Sequence, residues 1–163
     1  MFKKFREKRR REREENRSNF AELPIKNDSD LREFLVTRFR AKQQEDGVHY
    51  AFRVVWKSDD KSQAVLASYA PVPELGDLAY FTAPLVDGPT EGVLRRIMQE
   101  NARLLEGDLV MFESMLAMRI TVPLGEVTGS QLYSQLQHFA AGANSIREQF
   151  ADEVQSPSLT FGY

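Results

Sequence analysis

Leu132, Leu136, Phe139, Ala143, Ile146 and Phe150 follow one another at steps of four, three, four, three and four residues. Steps averaging about 3.6 place all six side chains on one side of an α-helix, so the rest of the chain must supply an apolar surface of matching length. Ahead of the stripe, Thr128 and Gln131 stand three apart as a capping box. Val127 is placed to staple onto Leu132. A helix specified this sharply at its start, and along its whole apolar face, constrains the fold more than any other stretch.

The segment before it completes a helix–hairpin–helix unit over residues 90–154. Leu94, Ile97, Met98, Leu104 and Leu105 recur at helical spacing, and Gly107 is expected to end that helix as its C′ residue. Leu109-Val110-Met111-Phe112 and the alternating Leu116, Met118, Ile120 and Val122 predict two strands joined by a turn near Glu113-Ser114, closed off by Pro123 and Gly125. Further upstream, Leu31, Phe34, Leu35 and Phe39 mark a helix that Asp30 and Glu33 would cap and Asp46-Gly47 would end. Tyr50, Phe52, Val54 and Trp56 alternate over Val48 to Lys57 as a half-buried strand. A polar loop at residues 58–62 leads to a second strand from Gln63 to Ala70. Pro71, Pro73 and Gly76-Asp77 form a longer turn, and a third strand runs from Leu78 to Leu85, weakened at its end by Pro84. The expected order is α-β-β-β-α-β-β-α: an α+β fold with a mostly antiparallel sheet packed against helices.

Charge divides the chain. Residues 1–19 hold nine Lys and Arg against four Glu, a surplus of five positive charges; residues 20–163 hold thirteen against twenty acids, a surplus of seven negative ones. The division suggests a basic arm with its linker over 1–27, an α+β domain over 28–154 and a tail over 155–163. The arm carries Lys3, Lys4, Arg6, Lys8, Arg9, Arg10, Arg11 and Arg13, with Glu and Arg or Lys repeatedly four apart, so a solvated helix is one reading. The others are attachment to nucleic acid or a ribosome, or to an anionic membrane surface with Phe2 and Phe5 dipping in. No apolar run approaches the roughly 20 residues of a membrane span, and no apolar stretch follows the basic N-terminus as in a secretory signal. The expectation is a cytoplasmic protein.

The element order, with Asn101-Ala102-Arg103-Leu104 at the end of the second helix and the Val122-Pro123-Leu124 turn after the second hairpin, resembles the YbjN family and the type III secretion chaperone-like fold. The resemblance covers about residues 28–154. It implies a regulatory or chaperone-like role exercised by binding a protein partner, as a homodimer and without catalysis. It carries over no functional residue, and the basic arm and the tail beyond Ser156 depart from it.

Chemistry-bearing motifs are scarce. The chain has no cysteine, so disulfides, thiol catalysis and Cys-based metal sites are excluded. It has two histidines, His49 and His138, and neither an HExxH, a GxSxG nor a glycine-rich phosphate loop, so the expectation is no enzyme and no cofactor. Candidate partner-binding or dimer residues are Met98, Asn101, Met111, Met115, Tyr69 and Tyr80. Asn101 falls on the apolar face of its helix and must satisfy its amide, either on backbone near the hairpin or on its twin across a dimer axis. Every methionine except the first lies between Met98 and Met118; Met118 alternates inward with Ile120, while Met111 and Met115 lie near the turn. Tyr69 and Tyr80 keep polar tips that suit a surface. In Ala140-Ala141-Gly142-Ala143, small side chains allow close packing of the last helix on the sheet.

Overall fold

The computed structural model describes residues 21–56, 60–101, 104 and 106–153. The arm residues 1–19 with Phe20, residues 57–59 at the polar loop, Ala102-Arg103, Leu105 and residues 154–163 lie outside the described residues. Among the described residues six strands form one wholly antiparallel sheet: β1 (Lys42–Gln43), β2 (His49–Trp56), β3 (Lys61–Val72), β4 (Gly76–Asp87), β5 (Asp108–Phe112) and β6 (Met115–Pro123). They are accompanied by the helices α1 (Asp28–Phe39), α2 (Glu91–Glu100) and α3 (Gly129–Gln149). The α+β fold and the element order match the expectation, with the two-residue β1 added. In space the strand order is β1-β2-β3-β4-β6-β5. Helix α2 therefore carries the chain from β4 past one strand position, and β6 returns into the gap, antiparallel to both neighbours.

Helix α3 lies across β2, β3 and β4. Its stripe residues are all buried, Leu132, Leu136, Phe139 and Ala143 completely. Full burial of an aliphatic or aromatic side chain contributes about 1.5–3 kcal/mol, so this one face supplies much of the force that closes the domain. The capping box forms with both bonds: Thr128 Oγ1 accepts the Gln131 N–H at 3.3 Å, and Gln131 Oε1 accepts the Thr128 N–H at 2.9 Å. Val127 packs partly buried against the core. The small-residue run sits where expected, since a Cβ added to Gly142 would stand 3.6 Å from Met118 Cε.

On the sheet face toward the helices, Phe52 pairs with Val65, Ala67 with Phe81, and Phe81 with Ile120; Phe34 and Leu35 of α1 join this core. Beside them the Phe39 ring stands 4.7 Å from Phe52 and stacks at 5.4 Å on Tyr133 of α3, which ties α1, β2 and α3 together. Ile25, inside the stretch read as linker, is buried; it donates to the Val127 carbonyl at 2.9 Å and accepts from the Gly125 N–H at 2.7 Å. At Pro84, which has no N–H, the β4–β6 register shifts. Gln63, fully buried, donates its side-chain amide to the Pro84 carbonyl at 3.2 Å and so satisfies part of the interrupted ladder.

Some boundaries differ from the periodicity. Helix α1 is capped by Asn27, whose side chain accepts the Asp30 N–H, in place of an Asp30–Glu33 box. It stops at Phe39 because Arg40 turns left-handed at φ 56°, and Asp46-Gly47 instead belongs to the β1–β2 turn. Helix α2 ends at Glu100 with Asn101 as its C-cap, short of Gly107. Gly107 does adopt φ +83°, but for the approach to β5: a Cβ there would lie 2.8 Å from the Arg119 carbonyl oxygen. The long turn expected around Pro71, Pro73 and Gly76-Asp77 shrinks to residues 73–75, between β3 and β4, because both strands extend further toward it than their apolar runs.

Candidate partner-binding surfaces

The six candidates separate into three places. Asn101 is half-buried, and its Oδ1 accepts the backbone N–H of Leu109 at 3.3 Å, tying the end of α2 to the start of β5. Met98, one turn earlier on α2, is 43% exposed, and Met111, two residues beyond Leu109 on β5, is 45% exposed. Met115 is half-buried at the start of β6, opposite the exposed Phe112. These four lie along α2, β5 and the start of β6, with Met111 and Met115 on opposite faces of the hairpin, whereas Met118 is buried in the core.

The tyrosines do not join them. Tyr69 pairs with Ala79 on the helix-covered face, and Tyr80 pairs with Ser68 on the other. Burial, and then a hydrogen bond to the Asp77 carboxylate, raise the Tyr69 hydroxyl pKa above its ordinary value. The Tyr80 ring lies under the Arg119 guanidinium, 4.1 Å from its centroid. The arm candidates, Lys3 to Arg13, lie outside the described residues.

The two edges of the sheet contrast. β5 is one edge, and on its outer side it has no partner among the described residues. It carries Leu-Val-Met-Phe after Asp108, without lysine, proline or a bulge of its own to deter pairing. At the other edge, β1 covers only Tyr50 and Ala51 of β2. Beside this short strand opens a hollow of about 500 Å³, lined by Phe39, Ala51, Val55, Ala64 and Pro84 and by the cations Arg40, Lys42 and Arg53. Sequence reasoning missed this hollow. The signal was Val55, 58% exposed on the face of β2 where the alternation calls for a polar group.

Asp46 Oδ2 lies 2.6 Å from His49 Nδ1, and Ser68 stands opposite His49 in the β2–β3 register. Asp46 also serves the turn, its Oδ1 accepting the N–H groups of Val48 and His49, both at 2.9 Å. His138 is exposed on α3. Among the described residues no three His, Asp or Glu side chains converge to hold a metal ion, and no helix is long and apolar enough to cross a membrane. A comparison with protein-family profiles gives no match, and neither does a comparison with curated proteins.

Proposed function

We propose that this chain is a non-enzymatic, cytoplasmic protein-binding domain with a chaperone-like or regulatory role, of the kind implied by its resemblance to YbjN, and that it works as a homodimer joined through β5. The observation that carries this reading is the unguarded β5 edge, with Met98, Met111 and Phe112 exposed around it. An open apolar edge strand is a template for another strand, and folded proteins otherwise blunt it. Two copies of β5 related by a twofold axis pair antiparallel and satisfy each other's free main-chain groups. Light scattering after size exclusion tests this. The wild type should run as a dimer and Met111→Asp as a folded monomer, because the charge would be brought into the pairing edge. A wild type that stays monomeric at tens of micromolar, or a Met111→Asp variant that still dimerises, would overturn it.

A second reading, nucleic-acid or ribosome attachment through residues 1–19, is favoured by the charge division: five surplus positive charges on the arm against seven surplus negative ones on the rest. Such binding weakens steeply with salt and depends on the arm. If a chain lacking residues 1–19 binds RNA as well as the full one, this reading fails.

A further inference from the structure

The outer edge of β2 is the second place where main chain is left open. Because β1 stops after two residues, Phe52–Trp56 pair only on the β3 side among the described residues. The hollow runs along this same stretch. Val55, Ala51, Ala64 and Pro84 give it an apolar lining, and Arg40, Lys42 and Arg53 supply its charge, with no carboxylate among the described lining residues. Arg40 and Lys42 make no ion pair with a described residue, and Arg53 donates to the Ser62 hydroxyl at 3.1 Å.

We infer that this edge and its hollow take an extended, acidic polypeptide segment that presents carboxylate and apolar side chains together on one face. The inference rests on the protein-binding reading and names the chemistry of the partner. The segment's backbone adds to β2 beyond the end of β1, as strand addition to an exposed sheet edge does. Alternate side chains on such a strand point to opposite faces, so one set reaches the apolar lining. Arg53 shares the face of Ala51 and Val55, and Lys42 pairs with Ala51, so carboxylates of that same set, and of residues overhanging the ends, meet Arg40, Lys42 and Arg53 in charge-assisted bonds. Charge selects this occupant. A second copy paired through the same edge would bring two cationic lips together, and the basic arm would be repelled in the same way. The open main-chain groups beside the hollow favour a polypeptide over a small amphiphilic anion.

Fluorescence anisotropy with the full chain decides it, using a labelled ten-residue peptide in which Glu and Val take turns at every second position with Ser between them. Binding should saturate and should weaken as salt rises from 50 to 300 mM. It should fall by about tenfold or more in the double variant Arg40→Glu/Lys42→Glu, where attraction becomes repulsion. The matching Lys–Val peptide should not bind, and N-methylation at alternate residues of the Glu–Val peptide should abolish binding by blocking main-chain pairing. Circular dichroism checks that the double variant is folded, and Arg53→Gln gives a milder second variant on the same lip. Equal binding of the Glu–Val and Lys–Val peptides, indifference to the double variant, or full competition by decanoate alone would overturn the proposal. The β5 dimer is read separately by light scattering, so failure here with an intact dimer condemns this site and not the protein-binding reading.

Discussion

The Asn101 side-chain oxygen accepts the backbone N–H of Leu109 at 3.3 Å, across eight residues of chain. That bond to backbone beside the hairpin is one of the two roles the sequence leaves open to the amide. It fixes where β5 begins and hence how the exposed Met111 is presented.

Replacing Asn101 with Ala removes the acceptor and leaves the Leu109 N–H to find water. The expected cost is about 0.5–1.5 kcal/mol, seen as a lower urea midpoint at unchanged slope. The oligomeric state should not change, since the amide is engaged within its own chain. A variant that loses dimerisation while keeping its stability would contradict this assignment.

Gly107 and Gly76 share almost the same backbone, φ +83° and +84°, but a Cβ at Gly107 meets the Arg119 carbonyl oxygen at 2.8 Å while one at Gly76 meets nothing within 4 Å. Gly76→Ala should therefore cost only the left-handed strain, about 1–2 kcal/mol. Gly107→Ala should cost clearly more, because backbone must also move. Thermal or urea unfolding of the pair isolates the close approach; equal losses would show that the β6 backbone yields freely.

The Asp46 carboxyl is held at a pKa of about 2, first by the His49 backbone N–H, then by that of Val48, and then by the His49 side chain. A folded-state pKa below the ordinary 3.8 means that Asp46 contributes stability which is fully present above about pH 4 to 5 and is lost as pH falls through about 2. A carboxyl-detected NMR titration should find the low midpoint. Unfolding measured across pH 5 to 2 should show a shallower acid dependence for Asp46→Ala than for the wild type. A midpoint near 4 would mean that the turn does not hold the carboxylate.

Thr128→Ala should cost about 1 kcal/mol by removing one half of the capping box. Phe139→Ala, in the middle of the α3 stripe and fully buried, should cost about 3–5 kcal/mol. Denaturant unfolding that ranks the two in the opposite order would show that α3 is held by its cap more than by its packing.

Much of this fold is legible in the chain itself. The α3 stripe, its cap, the β5–β6 hairpin and the alternation of Tyr50, Phe52 and Val54 are local patterns. Each follows from the helix or strand period and from side-chain burial on one face, which neighbouring residues decide among themselves. The end of α2 was not legible. Leu104 continues a helical spacing, but the α-helix ends at Glu100, and the Asn101 amide bonds to a strand eight residues away. The hollow beside β2 was hidden for the same kind of reason. Arg40, Lys42 and Arg53 are unremarkable surface cations in sequence, and they share a lip only because a two-residue β1 folds back onto β2.

The sequence by itself determined where most helices and strands lie and which of their faces are apolar, since those properties are set over a few residues. Only the tertiary structure decided that β6 lies between β4 and β5, that β5 is left as an open edge, and that most of β2 is left open at the other. Strand order is settled by pairing between distant segments and by the packing of α3 across three of them, and no local period encodes it.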